Sequence, residues 1–204
     1  MYARPALTLH CGSWHTHRFL LFLPMNILLF CGSPQPGSAV GHLLRAAAHA
    51  APAGAQVVFF ENLLKLPLFS PDLDGAGAVP PPVVAELRQQ LQAADAVLLA
   101  TPEYAYGMPG SLKNALDWLV SAGSFYGKPT GVLSASPSEA GGEKARAGLL
   151  LTLEALGAVV VPTASFAVSF VRAKLDAQGM VMDAAFAAQL EKAMLSLSAA
   201  VISD

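Results

Sequence analysis

The chain has 204 residues, of which 54% are hydrophobic and only 13% charged, with a formal net charge of −2. That length suits one domain with a substantial core, and a near-neutral charge without any basic run excludes an electrostatic footprint for nucleic acid. Two cysteines, Cys11 and Cys31, give neither a disulfide framework nor a metal-ligand spacing, and they point to a reducing cytoplasm. A chain more apolar than an average soluble domain has to bury the surplus, so an apolar self-association surface is expected.

Residues 1–24 read as an extension, with Met25 as the natural start of a domain running to residue 204. The apolar run from Arg18 to Cys31 resembles the core of a signal peptide, but Pro24 and Asn26 interrupt it and no small-residue cleavage site follows. No run reaches the roughly 20 apolar residues of a bilayer span. His10, Cys11, His15 and His17 have the look of metal ligands, yet they stand in a non-periodic tail, where such clusters are usually incidental.

Asn26 to Cys31 is a continuous apolar run of strand length and reads as a buried first strand. After Gly32-Ser-Pro-Gln-Pro-Gly-Ser38, residues Ala39 to Ala51 have Leu43, Leu44, Ala47 and Ala51 on one helical face, and Pro52 and Gly54 stop that helix. Gln56 to Phe60 is the second strand. Glu61 to Pro82, irregular and punctuated by proline and glycine, is too long for a plain connection and is expected to line a site or an interface. A helix from Val83 to Ala93 leads to a third strand, Ala94 to Ala100.

The next stretch, Thr101-Pro-Glu-Tyr-Ala-Tyr-Gly-Met-Pro-Gly-Ser-Leu-Lys-Asn-Ala-Leu-Asp-Trp118, organises the rest. It is a polar-aromatic loop running into a helix whose apolar face carries Leu112, Ala115, Leu116, Leu119 and Val120. Pro109 suits the first turn, with Ser111 as an alternative N-cap, and Lys113, Asn114 and Asp117 lie on a solvated side. The pattern alone leaves open an ordinary βα turn or a ligand site at the carboxyl edge of a sheet. Beyond it come a fourth strand at Thr130–Ser134, a loop to Gly142, a helix from Glu143 to Leu156 with Gly157 at C′, and a fifth strand at Ala158–Val161. Thr163 to Val181 is ambiguous, and a final helix runs from Ala184 to about Ile202. Strands alternating with helices make a doubly wound parallel sheet of five strands, read as flavodoxin-like and three-layered in the order 2-1-3-4-5.

In that order the loops after strands one, three and four are neighbours. The loop after the first strand offers Ser33 and Ser38 hydroxyls and helix N-terminal amides, either an anion site or a turn with a serine cap. It has no Gly-Lys-Ser/Thr ending for a P-loop and no Gly-x-Gly-x-x-Gly for a dinucleotide fingerprint. Cys31 lacks the arginine a phosphatase nucleophile needs and reads as a small apolar residue at a strand end.

Gly32-Ser33, Ser38, Thr101-Pro-Glu-Tyr104 and Pro109-Gly-Ser-Leu-Lys-Asn-Ala-Leu-Asp-Trp118 together resemble the NADPH-dependent FMN reductase family, which includes chromate, quinone and azo-dye reductases. The resemblance runs from about Met25 to the C-terminus. It implies a flavodoxin-like fold, bound FMN with NADPH or NADH as donor, a small-molecule electron acceptor, and a homodimer or homotetramer. Carried over residue by residue, it places Ser33, Gln35, Ser38, Ala39 and Val40 at the FMN phosphate, Pro102, Glu103, Tyr104 and Ala105 at the isoalloxazine edge, and Ser134, Ala135 and Ser136 at the rest of the ring pocket. No side chain need be catalytic and no metal is expected. The family usually has arginine where Gln35 stands, asparagine at Ala105 and often serine at Gly107. The alternative is a flavodoxin-like electron carrier or flavin-binding module that does not oxidise NAD(P)H.

Overall fold

A run such as Asn26–Cys31, apolar between its ends, fits only a strand covered on both faces. In the computed structural model, which describes residues 25–75, 77–176 and 178–202, this strand (β1) lies at the centre of a parallel sheet. It pairs with β2 (Gln56–Phe60) on one side and β3 (Ala96–Thr101) on the other, and β3 pairs with β4 (Pro129–Ala135). The order β2-β1-β3-β4-β5 is the flavodoxin-like one expected. The proposed extension, residues 1–24, with its His10, Cys11, His15 and His17, lies outside the described residues.

The edge beyond β4 differs from expectation. It is shared by two short strands, β5 (Val159–Val160) against the first half of β4 and β6 (Phe166–Val168) against the second, so the sheet has six strands rather than five. Pro162 starts a 3-10 turn that takes the chain off the edge between them. Ser165 bridges the gap: its hydroxyl accepts the Val132 N–H (3.0 Å) and donates to the Val161 carbonyl (2.9 Å). The ambiguous stretch 163–181 thus contains β6 and the short helix α5 (Val171–Lys174).

Alternation along the buried strands divides the core in two. Ile27, Leu29, Leu98, Ala100, Leu133 and Ala135 face α1 (Ala39–His49) and α6 (Ala184–Ile202). Leu28, Phe30, Val97, Leu99 and Val132 face α2 (Pro82–Ala93), α3 (Gly110–Asp117) and α4 (Glu143–Ala155). Gly157 sits at φ 75 and closes α4 with the paired bonds Gly157 N–H to Glu154 and Ala158 N–H to Leu153, the double C-cap expected of it. By length and composition alone, the 19-residue α6 is apolar enough to cross a membrane, although Gln189, Glu191 and Lys192 interrupt its apolar residues. Phe186, Leu190, Met194 and Leu197 of that helix are buried in the core, while Leu195 and Ile202 are exposed. The apolar face of α3 is Leu112, Ala115 and Leu116; Val120, assigned to it from spacing, lies beyond the helix and is 64% exposed.

Candidate functional site

Strands β1, β3 and β4 end at one edge, so the loops that follow them meet there. The β1–α1 loop is stiffened by Pro34 and Pro36 and begins at Gly32, whose N–H donates to the Ala100 carbonyl (2.8 Å). A Cβ at Gly32 would come within 2.6 Å of Leu112 Cδ2 and 3.0 Å of the Ala100 oxygen. Only glycine lets α3 dock this closely on the loop. At the far end Ser38 caps α1, its Oγ accepting the Gly41 N–H at 3.1 Å. Ser33 Oγ accepts the Gln35 N–H at 3.3 Å. Each serine has its oxygen engaged by backbone, while the Ala39 and Val40 N–H groups have no partner among the described residues. The two serine O–H groups and these amides are left as donors, which is what an anion needs. Val40 is buried, so it contributes its amide alone.

Burial pushes the Cys31 thiol up, while the Ser33 backbone, the Ser38 hydroxyl and Arg45 pull only partly the other way. A thiol held above its ordinary value is no activated nucleophile, in line with its reading as a packing residue.

The loop after β3 is a tight hairpin. Tyr104 and Gly107 exchange both backbone hydrogen bonds (2.9 and 3.0 Å) around Ala105 at φ 49 and Tyr106 at φ 63. This is a primed turn with two left-handed residues, and neither is the asparagine or glycine such turns favour. Each left-handed L-residue costs about 1–2 kcal/mol. The third described non-glycine residue with positive φ, Phe170 at φ 50, also stands at this edge, so all the described strain of this kind collects at one place. Tyr106 is exposed, with Lys144 Nζ 3.5 Å above its ring.

Glu103 points inward. Its Oε2 accepts the Ala145 N–H at 3.0 Å in the first turn of α4, where a carboxylate meets the positive end of the helix dipole. It is a structural carboxylate. Gly142, left-handed at φ 81, starts α4, and a Cβ there would lie 3.2 Å from Ser134 Cβ and 3.6 Å from Glu103 Cβ. The loops after β3 and β4 are therefore in direct contact. Ser134 is fully buried and its hydroxyl has no hydrogen-bond partner in the described protein. Its neighbour Ala135 faces the opposite core, and Ser136 Oγ pairs with Ser138 Oγ at 2.8 Å.

Sequence reasoning missed a clamp. Asn114, read as solvated, donates from Nδ2 to the Pro67 carbonyl (2.9 Å) and accepts the Phe69 N–H at Oδ1 (2.8 Å). Trp118 Nε1 donates to the same carbonyl at 2.9 Å, and Phe69 packs edge-on against the Trp118 ring. Asn114 and Trp118 are four residues apart and so share a helix face, a signal that was present in the motif. Arg88 fixes the other end of the β2–α2 segment, holding Asp74 Oδ1 (2.7 Å) and the Trp118 carbonyl (2.5 Å). Of the other polar residues on α3, Lys113 and Asp117 form an exposed i,i+4 pair at 2.6 Å, and Ser111 is no cap but has its hydroxyl buried without a partner.

Two cavities flank the β1–α1 loop. One of about 610 Å³ has Cys31, Ser33 and Arg45 on one wall and Phe60, Leu63 and Lys65 on the other. The second, about 300 Å³, lies between Ser38, Ala39 and α5.

A family model for NADPH-dependent FMN reductases matches residues 25–173. The chain belongs to that family. An NAD(P)H-dependent FMN reductase of Pseudomonas aeruginosa is 35% identical over 161 residues, 78% of this chain and 85% of its own length. A quinone reductase of Escherichia coli K12 is 33% identical over 162 residues, 78% of this chain and 86% of that protein. A solved flavoenzyme, an NAD(P)H:(acceptor) oxidoreductase from Paracoccus denitrificans, matches with a TM-score of 0.75 at 26% identity, over 88% of this chain and 98% of that one.

As an FMN reductase family member, the protein is an oxidoreductase working with FMN and NAD(P)H. The residues present fit FMN on two observations. The β1–α1 loop offers donors and open amides suited to a phosphate, and on the adjoining strand end the buried Ser134 hydroxyl has no protein partner, although neither it nor the 104–107 hairpin lines the two cavities beside the loop.

Proposed function

We propose that the protein is an NAD(P)H-dependent FMN enzyme that passes electrons to quinones, with azo compounds and metal oxyanions such as chromate as further acceptors. The observation that carries this reading is the meeting, at one sheet edge, of open α1 amides with the loops after β3 and β4 in a chain of this family. Ser33, Ser38 and the amides of Ala39 and Val40 hold the phosphate, with Gln35 beside them. Pro102, Glu103, Tyr104 and Ala105 border the ring, and Ser134, Ala135 and Ser136 close its pocket. The redox chemistry, uptake of a hydride from NAD(P)H and its delivery as electrons to the acceptor, is supplied by FMN when bound. The chain positions and excludes: Glu103 fixes the β3 loop to α4, and the Ala105 and Tyr106 amides, which the hairpin does not use itself, would be its backbone donors for the ring's polar edge. No side chain has to act as acid or nucleophile.

The reading also places one flavin domain at residues 25–204, preceded by an extension, in the cytoplasm, and assembled as a homo-oligomer. A depression of about 700 Å³ lined by Ala147, Leu150, Leu151, Glu154, Ala158 and Val160, with Leu151 exposed in it and Tyr126 and Val159 exposed elsewhere on the surface, supports the last point. Steady-state oxidation of NADPH with added FMN, with and without a quinone, tests the function. Quinone-dependent turnover is expected. Flavin uptake without NADPH consumption would instead make the chain an electron carrier.

A further inference from the structure

The β1–α1 loop, Gly32-Ser-Pro-Gln-Pro-Gly-Ser38, carries no cation, although a phosphate monoester brings a charge of about −1.5 to −2 at neutral pH. Any counter-charge has to come from another element. The cavity of about 300 Å³ at the α1 N-terminus has Gln35, Ser38, Ala39 and His42 on one wall and Arg172 and Asp176 on the other.

Two basic residues stand on α5. Lys174 is engaged with α6, its Nζ 3.7 Å from the Asp183 carboxylate and over the Phe186 ring. Arg172, on the exposed side, makes no ion pair or hydrogen bond among the described residues. Its element is nonetheless fixed. The Phe170 and Val171 N–H groups donate to the Ser138 and Ser136 carbonyls (3.2 and 3.1 Å), and Val171 is buried. The left-handed Phe170 turns the chain from β6 into α5 and so delivers Arg172 to the α1 end.

We propose that Arg172 is the cationic anchor for the FMN phosphate, reaching across from α5 to the site that the α1 amides open. This rests on the FMN reading above. Its guanidinium supplies a charge-assisted, two-pronged contact that the loop itself does not have. Asp176 opposes it. The Asp176 carboxylate accepts the Gln178 and Met180 N–H groups (2.9 and 2.8 Å) and places a negative charge in the same cavity, which holds phosphate affinity down. Arg45 lines the larger cavity together with Ser33, Gln35 and Ser38 and is the competing cation that the test has to separate from Arg172.

Fluorescence titrations with FMN and with riboflavin, which lacks the phosphate, separate these roles. The proteins compared are the wild type, R172Q, D176N and R45Q, each checked for native circular dichroism. R172Q should weaken FMN binding by about tenfold and leave riboflavin within about twofold. D176N keeps an oxygen for the two amides, and should tighten FMN but not riboflavin. R45Q should move neither. An R172Q protein with unchanged FMN affinity, or with an equal loss for both flavins, overturns the assignment, as does a phosphate-specific loss confined to R45Q. A wild-type protein that takes up FMN but gains nothing from the phosphate overturns Arg172 alone. A wild-type protein that takes up neither flavin overturns both this assignment and the FMN reading.

Discussion

At the scale of single residues, the site is where the chain breaks its own local rules. Ala105 and Tyr106 occupy left-handed positions that asparagine or glycine fill at least strain. Ala105→Asn should therefore raise stability by about 1 kcal/mol, seen as an increase of roughly 2–4 °C in thermal midpoint. Ser134 is the converse case, since its buried hydroxyl has no protein partner. Removing a polar group that is buried and unpaired stabilises a protein by about 1 kcal/mol or more. Ser134→Ala should raise the unfolding midpoint of the flavin-free protein while weakening flavin binding; a variant less stable than wild type would show that the hydroxyl has a structural partner. These two features were legible to different degrees. Ala105 stood out in the sequence because of its departure from the family pattern, but its backbone strain did not, because φ follows from a hairpin only two residues long. Ser134 was named from the strand edge, whereas its isolation depends on which way it faces in β4.

At the scale of elements, the function of the long motif divides between its two ends. The loop end forms the hairpin, and the helix end holds the β2–α2 segment through Asn114 and Trp118, which converge on the Pro67 carbonyl. Asn114→Ala deletes two hydrogen bonds at about 1 kcal/mol each; a loss of about 2 kcal/mol in urea unfolding and faster proteolytic cleavage within 61–81 are expected. The motif was read correctly as a family signature, yet Asn114 was assigned to solvent because spacing locates a face without saying which distant segment covers it. At the segment's other end, burial raises the Asp74 carboxyl, but hydrogen bonds from Ser121 and Arg88 and the Arg88 charge more than offset it, so its pKa lies below the ordinary carboxylate value. A depressed folded pKa means stability that is full above the unfolded value, about 3.9, and is lost as pH falls through the folded one. Asp74→Asn should be less stable than wild type at pH 7, and the gap between their urea midpoints should narrow on acidification toward about pH 3. A gap independent of pH would exclude a charged role for Asp74.

At the scale of the whole molecule, the order of the first five strands was readable because each is a short apolar run between turn signals, and a buried parallel strand has no alternation to confuse it. The sixth was not, because Phe166–Val168 is only three residues long and gains its place from β4 and from the Ser165 bridge rather than from its own pattern. The apolar surplus noted at the outset remains in part on the surface, in Tyr126, Leu151 and Val159. If that face joins copies of the chain, Leu151→Glu should shift sedimentation at micromolar concentration toward the monomer without changing the circular dichroism, and an unshifted profile would place the contact elsewhere. The divided edge of the sheet bears on a different hazard. An open strand edge is a template on which a stray chain can add itself and start an aggregate. Here the β5 edge ends after two residues, the chain then swings off at Pro162, and the Ser165 side chain occupies ladder groups of β4 and of the edge. A chain this apolar thus keeps one flank of its sheet too short and too interrupted to be copied, which favours a protein that stays dispersed at high concentration.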